Sequence, residues 1–229
     1  MAERSAIVLG KGPLAIQVAE WFCAAPDWRL TYVVPVVPEP TWTDSLSEWA
    51  DAHGVAWVES GHYADLPPAE DLGGDLAVSV FYDRILSAGF IDRFGRVLNI
   101  HNGPLPRYRG VSPINWALKN EERSHGVTIH EITPGIDDGP IVAQLGYSIY
   151  PDEDEVEDVY RRALAYGWTL FEQTMPILDR IEATAQDERL ATYYSAEENE
   201  QLGERRSFNR AVSGPAESAA GNYPAARPA

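Results

Sequence analysis

The chain has 229 residues and a formal net charge of −17 at pH 7, from 18 Lys and Arg residues against 35 Asp and Glu residues. This length can bury a full core, and the charge argues against a nucleic-acid partner, because Lys and Arg supply most of the affinity for phosphates. The single Cys23 excludes a disulfide framework, and no apolar run or amino-terminal leader indicates a membrane partner, so we expect a cytoplasmic protein.

The first predicted elements are a strand, a glycine turn and a helix. Ala6–Leu9 is apolar throughout, as in a buried parallel strand, and a helix is predicted from Leu14 to Ala24, with Cys23 packed in it as a small hydrophobe. The turn between them, Gly10-Lys11-Gly12-Pro13-Leu14-Ala15, has the form of the dinucleotide fingerprint Gly-x-Gly-x-x-Ala. Lys11 is a candidate phosphate contact, with a solvated loop lysine as the alternative.

A nicotinamide cofactor is the weaker interpretation of this turn. The second predicted strand, Leu30–Val37, has no Asp or Glu placed at its end to hold an adenosine ribose, and Pro13 lies inside the turn. A non-catalytic or NAD-binding Rossmann module stays open as an alternative.

The next segment predicts one helix and two strands. The helix begins between Thr41 and Ser45, where Thr41-x-x-Asp44 and Ser45-x-x-Glu48 are both possible capping boxes, and runs to His53-Gly54. The third and fourth strands are Val55–Val58 and Leu76–Val80. Between these strands, Gly61–Gly74 is acidic and contains prolines, which is typical of a surface loop. Two aromatic and two aliphatic side chains then follow the fourth strand in Phe81–Leu86.

The apolar strand Val97–His101 ends in two polar groups. Asn99 and His101 are two residues apart and therefore share one face of the strand. Open parallel sheets bind ligands outside the carboxyl ends of their strands, so this position favours a functional site. The polar loop Asn102–Gly110 follows directly.

The second half of the chain predicts a helix, two strands and a long helix. Ser112–Leu118 has a serine cap and a proline at the first helical position, and the strands are His125–Glu131 and Ile141–Tyr150. Asp152–Glu155 places negative charge on the first turn of the long helix, and Pro176 should kink or end it.

Two histidines lie on the first of these strands. His125 and His130 are five residues apart, so a regular strand sends them to opposite faces and they cannot bind one metal. We predict no metal site, and a structural role for His130.

Three motifs in this order resemble the folate-dependent formyltransferases. They are Asn99-Ile100-His101, the loop Leu105-Pro106-Arg107-Tyr108-Arg109-Gly110, and the turn Ile136-Asp137-Asp138-Gly139. Within that family, the short chain and the sequence His-Asn-Gly-Pro-Leu-Pro look most like the nucleotide-sugar N-formyltransferases. The resemblance implies an α/β fold with a doubly wound, mainly parallel, Rossmann-like sheet and a short carboxyl-terminal appendage.

The resemblance also implies site residues. Asn99, His101 and Asp137 match the catalytic positions, and Asp137 is preferred to Asp138 because the family's pattern is apolar, Asp, variable, Gly. The formyl donor N10-formyltetrahydrofolate would be held by Phe81, Tyr82, Arg84, Ile85, Leu86, Thr133 and Gly135. The candidate contacts to the nucleotide-sugar substrate are Lys11, Asn102, Gly103, Arg107, Tyr108 and Arg109, although the two arginines could instead pair with carboxylates of the chain.

The expected reaction is formyl transfer to a nucleotide-linked amino sugar, with dTDP-4-amino-4,6-dideoxyglucose as the first candidate. Phosphoribosylglycinamide formylation is the alternative within the family, and the tRNA-formylating branch is disfavoured by charge and length. We expect a catalytic domain over residues 1–182, an appendage over 183–210 that forms a hairpin and a homodimer contact, and a disordered tail over 211–229. The sequence does not specify the sugar, its stereochemistry or the base.

Overall fold

A computed structural model describes residues 3–68, 72 and 74–203 of the chain. The predicted tail, 211–229, and the end of the predicted appendage lie outside these residues. The described chain divides into two compact units, one formed by the residues up to Ile100 with His130–Gly135, and the other by His101–Ile129 with the chain from Ile136 onward. The predicted single domain over 1–182 stays a prediction.

The elements of the first unit alternate between strand and helix. Its strands are β1 (Arg4–Gly10), β2 (Trp28–Pro35), β3 (Leu76–Val80) and β4 (Arg96–His101, whose last residue belongs to the second unit), and its helices are α1 (Gly12–Ala24), α2 (Leu46–His53) and α3 (Ala88–Ile91). The strands lie in the order β2-β1-β3-β4, and each neighbouring pair is parallel. Because β1 lies between β2 and β3, the chain winds outward and then returns to the other side of β1, as in a doubly wound sheet. The predicted α/β class with a mainly parallel sheet is confirmed.

Apolar periodicity explains why these elements form. Every residue of β3 is buried, as expected for a strand covered on both faces. Helix α1 buries Leu14, Val18 and Phe22, which recur every four residues along one stripe. Cys23 lies beside that stripe and is exposed, so the prediction that it packs as a small hydrophobe is wrong.

Two predictions between α2 and β3 need correction. Val55–Val58 is not a strand, because its pairing is limited to an isolated bridge between Trp57 and Val33. The predicted surface loop, Gly61–Gly74, contains a 3-10 helix at Tyr63–Asp65 and buries Leu66 and Leu72 in the core. The cap of α2 is confirmed, since the Ser45 hydroxyl accepts a hydrogen bond from the Glu48 amide.

The second unit contains two helices, two longer strands and a pair of two-residue strands. Its elements are β5 (Arg109–Gly110), α4 (Pro113–Lys119), β6 (Ser124–Glu131, whose last two residues belong to the first unit), β7 (Ile141–Ser148), α5 (Val156–Thr174) and β8 (Tyr193–Tyr194), with 3-10 helices at Met175–Arg180, Glu188–Leu190 and Glu197–Leu202. Strand β6 neighbours β7, helix α5 packs on β7 and on α4, and β5 pairs with β8 in parallel.

Three local predictions in this unit are wrong. Ser112 has φ 57° and makes no side-chain cap, although Pro113 does begin α4. The acidic run before α5 precedes the helix instead of forming its first turn, because Glu155 is the N-cap and pairs with Asp158 in a capping box. The chain beyond α5 pairs through Tyr193–Tyr194 with β5 in place of the expected hairpin.

Pro176 lies just beyond α5, which ends at Thr174, so the predicted helix end is confirmed. Among the described residues, no helix is both long and apolar enough to span a bilayer.

Candidate active site

His101 lies at the end of β4, and each of its two ring nitrogens has a partner. One nitrogen is hydrogen-bonded to a carbonyl, and the other lies beside a carboxylate. Its side chain is buried, and Nε2 lies 2.8 Å from the carbonyl oxygen of Tyr108. A carbonyl only accepts hydrogen bonds, so Nε2 carries the proton. Nδ1 lies 3.5 Å from Asp137 Oδ2. Nδ1 is therefore the ring nitrogen that can exchange a proton, and it does so beside a carboxylate.

The Asp137 side chain is fixed by the backbone of the loop that follows His101. Its Oδ2 accepts a hydrogen bond of 2.9 Å from the Gly110 amide. Asp137 has φ 51°, a conformation that side chains other than Gly, Asn and Asp rarely adopt. Asp138 is exposed. The register argument that preferred Asp137 over Asp138 therefore selects the carboxylate that lies beside His101.

Asn99 lies on β4 in the first unit and contacts a histidine that we had predicted to be structural. Its Nδ2 is 3.1 Å from His130 Nε2, and His130 Nδ1 is 2.9 Å from the carbonyl oxygen of Glu131. Because Nδ1 must donate to that carbonyl, Nε2 is an acceptor and takes one hydrogen from the Asn99 amide. His130 therefore fixes which end of the Asn99 amide carries the nitrogen.

The loop after His101 is anchored by Thr128, which sequence reasoning missed. The Thr128 hydroxyl donates to the Gly103 carbonyl at 2.7 Å and accepts from the Leu105 amide at 3.2 Å. Gly103 packs directly against the catalytic candidate, because a Cβ there would lie 2.7 Å from His101 Nε2. A buried threonine in an apolar strand gives no distinctive sequence signal.

The remaining polar residues of this loop are engaged within the chain. Arg107 Nη1 lies 3.0 Å from Glu122 Oε1, and the Tyr108 hydroxyl donates to the same oxygen at 2.8 Å. Burial raises the pKa of the Tyr108 phenol to about 12. Arg109 Nη2 lies 2.7 Å from Glu188 Oε1. Both arginines therefore pair with carboxylates, and their role in binding a substrate stays a prediction.

Asn102 is buried, and its main-chain carbonyl oxygen accepts a hydrogen bond of 2.9 Å from His125 Nε2. Burial lowers the pKa of His125 to about 4. His125 is therefore neutral at pH 7.

The residues predicted to hold the formyl donor lie in the first unit, after β3 and after β6. Arg84 and Ile85 are exposed, whereas Leu86 is buried in the core. Tyr82 donates its hydroxyl to the Gly61 carbonyl at 2.7 Å, and burial raises the pKa of its phenol to about 12. Phe81 has φ 58°. This segment is therefore a strained turn fixed by Tyr82 with an exposed apolar tip.

Lys11 is buried at the start of α1, and burial lowers its pKa while Asp83 opposes that shift. The alternative of a solvated loop lysine is therefore wrong.

Near the end of β6, the Thr133 hydroxyl accepts a hydrogen bond from the Gly135 amide at 3.3 Å. No cluster of three or more His, Cys, Asp or Glu side chains suited to a metal occurs within residues 3–68, 72 and 74–203.

The sequence and the fold are both similar to those of formyl transferases. Residues 67–174 match the family described as formyl transferase. The chain is 39% identical over 126 residues to methionyl-tRNA formyltransferase from Deinococcus radiodurans, and the aligned part covers 54% of this chain and 39% of that enzyme. The chain thus spans about two fifths of the length of this relative.

Two solved structures share the fold. An N-formyltransferase from Helicobacter canadensis, in complex with folinic acid and dTDP-3-aminofucose, has a TM-score of 0.69 at 24% identity and covers 85% of this chain and 71% of its own. Phosphoribosylglycinamide formyltransferase from Bacillus halodurans has a TM-score of 0.65 at 25% identity and covers 77% of this chain and 95% of its own.

Proposed function

We propose that this chain, which carries a formyl transferase domain over residues 67–174, moves a formyl group from N10-formyltetrahydrofolate to the amino group of a nucleotide-linked amino sugar. The observation that carries the proposal is the buried His101 with Asp137 Oδ2 at 3.5 Å from its Nδ1, inside the matched segment. The acceptor that we propose first is dTDP-4-amino-4,6-dideoxyglucose. A homodimer in the cytoplasm is part of the same proposal.

In the proposed reaction the amine attacks the formyl carbon, the bond from that carbon to N10 breaks, and one proton moves from the attacking nitrogen to N10. The amide nitrogen of Asn99 would donate to the oxyanion of the tetrahedral intermediate. The pair His101 and Asp137 would carry the proton through Nδ1, while Nε2 stays bonded to the Tyr108 carbonyl. Asp137 would also stabilise His101 when it is charged.

Different residues are proposed to bind the two substrates. The turn Phe81–Leu86 with Thr133 and Gly135 would hold the folate, and the exposed Ile85 offers it an apolar contact. On the acceptor side, Arg107 is the better candidate for the diphosphate, because its side chain is 41% exposed whereas that of Arg109 is 9% exposed.

Two other acceptors are supported by specific likenesses. The Bacillus halodurans structure is matched over 95% of its length, which favours glycinamide ribonucleotide. The Deinococcus radiodurans relative favours an initiator tRNA. The net charge of −17 argues against the tRNA, because nucleic-acid affinity depends on cationic side chains.

The acceptor is tested by offering the protein N10-formyltetrahydrofolate with each of three amines, namely the dTDP-amino sugar, glycinamide ribonucleotide and aminoacylated initiator tRNA, and following formylated product by mass spectrometry. We expect product with the sugar alone. Asn99→Ala, His101→Ala and Asp137→Ala should each abolish product at an unchanged melting temperature, because each removes one group of the proposed reaction.

A transfer to either other amine would replace the proposed acceptor and keep the chemistry. Full activity in folded His101→Ala protein would refute the mechanism. A titration that follows quenching of the seven tryptophans by folate tests the remaining alternative, because an NAD-binding module would respond to NAD and not to folate.

A further inference from the structure

We infer that Gln186 is a positioning residue that holds Asp137 against His101, an inference that rests on the proposed function. Gln186 lies beyond α5, outside the segment that matches the formyl transferase family, which ends at residue 174. The sequence around it is polar and gave no functional signal. It is distinguished by its hydrogen bonds to the Asp137 turn in the second unit.

Both ends of the Gln186 amide are fully engaged. Nε2 donates to the carbonyl oxygens of Asp137 at 2.8 Å and Gly139 at 2.7 Å. Oε1 accepts from Arg109 Nε at 3.0 Å and from Arg109 Nη2 at 2.8 Å. Carbonyls only accept and a guanidinium only donates, so these four partners fix which end of the amide carries the nitrogen. Neither Glu nor an apolar residue offers this set of bonds.

These bonds belong to a hydrogen-bond network that surrounds Asp137. Its carbonyl is bound by Gln186, Gln186 is bound by Arg109, and the next residue, Gly110, donates its amide to Asp137 Oδ2 at 2.9 Å. The backbone and the side chain of Asp137 are thus held by one connected set of hydrogen bonds.

The backbone conformation and the side-chain position of Asp137 both depend on this network. Its φ of 51° is in the left-handed region, which costs a residue with a side chain some free energy even though Asp adopts it more readily than most. The Oδ2 atom lies 3.5 Å from His101 Nδ1, so a small displacement of the turn would move the carboxylate away from the ring. Gln186 therefore sets the separation on which the proposed proton transfer depends.

Glu188 provides a matched control, because its carboxylate accepts its hydrogen bonds from the same guanidinium, whereas Gln186 also donates to the carbonyls of the Asp137 turn. Its carboxylate accepts from Arg109 Nη1 at 3.0 Å and from Nη2 at 2.7 Å, and its side chain is 70% exposed. The ion pair is exposed to solvent on its Glu188 side, where water weakens the Coulomb attraction. Glu188→Gln removes the charge and leaves Gln186 in place.

The experiment compares Gln186→Leu, Gln186→Glu and Glu188→Gln with the wild-type chain. Gln186→Glu keeps an acceptor for Arg109 and loses both donors to the turn, so it should behave like Gln186→Leu. We expect kcat to fall roughly tenfold or more in both Gln186 variants with little change in KM, and to stay within about twofold in Glu188→Gln. A purely structural defect would instead lower the active fraction and leave the kcat of the folded molecules unchanged.

A second readout does not depend on activity. Amide hydrogen exchange of Gly110, measured by NMR, should be roughly tenfold faster in the Gln186 variants, because Asp137 Oδ2 no longer stays on that amide. Unchanged Gly110 exchange, or unchanged kcat in Gln186→Leu, would overturn the inference. Absence of turnover by the wild-type protein with every amine would instead count against the proposed function, while the exchange measurement would still decide whether Gln186 holds Asp137.

Discussion

At the residue scale, the direction of the Asn99 amide is decided by a neighbouring histidine. His130 Nδ1 is bound to the Glu131 carbonyl, so Nε2 presents a lone pair to Asn99 Nδ2 at 3.1 Å. An asparagine side chain can rotate its amide by half a turn and exchange nitrogen for oxygen. The acceptor on His130 therefore fixes which end of the amide is nitrogen, and the proposed contact to the oxyanion requires a nitrogen.

His130→Leu should therefore lower kcat, because it removes this acceptor at similar volume and frees Asn99 to turn its oxygen towards the oxyanion. We expect a loss on the order of tenfold to a hundredfold, which is less than for deletion of the donor itself. His130→Gln offers a carbonyl oxygen as a replacement acceptor and should recover part of the rate. Steady-state kinetics at matched melting temperatures provide the check, and equal kcat in the wild-type and His130→Leu proteins would contradict it.

At the scale of elements, the carboxyl-terminal segment is bound to the loop of the candidate site. The Arg109 amide donates to the Thr192 carbonyl at 2.9 Å, and the Val111 amide donates to the Tyr194 carbonyl at 3.0 Å. The Tyr194 ring stacks on Trp116 at a centroid distance of 4.4 Å. Strand β8, although two residues long, thus holds β5 by backbone and ring contacts together.

Gly110 makes this pairing possible, so Gly110→Ala should disrupt it. A Cβ at Gly110 would lie 2.1 Å from the Tyr194 carbonyl oxygen, and the residue has φ 89°. Gly54→Ala is the matched control, because Gly54 has φ 66° and nothing within 4 Å of an added Cβ. In urea unfolding we expect Gly54→Ala to cost about 1 kcal/mol from backbone strain, and Gly110→Ala to cost roughly 2–3 kcal/mol because the clash adds to that strain. Equal losses of unfolding free energy in the two variants would mean that the pairing of β8 with β5 does not depend on the close approach of Gly110 to Tyr194.

At the scale of the whole molecule, acidic side chains outnumber basic ones, and several arginines in the described part of the chain pair with carboxylates. The chain has 35 Asp and Glu residues against 18 Lys and Arg residues. Arg107, Arg109 and Arg162 all pair with carboxylates at 3.0 Å or less. An anionic substrate must therefore be bound by a small number of placed cations and amides, because the overall field of the molecule is repulsive to anions.

Acid should destabilise the folded molecule through His125 as well as through its carboxylates. Burial lowers the pKa of His125 to about 4, whereas an unfolded histidine titrates near 6.5. Between these values the unfolded chain binds the proton and the folded chain does not, so this contribution to stability is complete above about pH 6.5 and is lost as the pH falls towards about 4.

His125→Gln removes this titration, and the difference in unfolding free energy between wild type and variant should change by an amount on the order of a few kcal/mol across the interval. Urea unfolding of both proteins at several pH values measures it. A constant difference from pH 7 to pH 4 would show that His125 can be protonated in the fold.

The sequence by itself determined the features that depend on local chemistry and periodicity. Apolar runs identified β1, β3 and β4, and the Ser45 cap and Pro176 placed helix ends. Three motifs indicated a resemblance to formyltransferases and favoured Asp137 over Asp138. The strand predicted at Val55–Val58 failed because its neighbour offers it a single bridge, and pairing partners are not visible in a local pattern.

Only the tertiary structure decided which residues support the site. Thr128, His130 and Gln186 lie 27, 29 and 85 residues after His101, and none follows a recognisable motif. A hydrogen bond requires donor and acceptor within about 3 Å in a suitable direction, and chain folding alone brings such distant groups together. The motifs therefore predicted the candidate reacting groups, whereas the bonds that orient them became visible when the loop, the Asp137 turn and the carboxyl-terminal segment were placed in space.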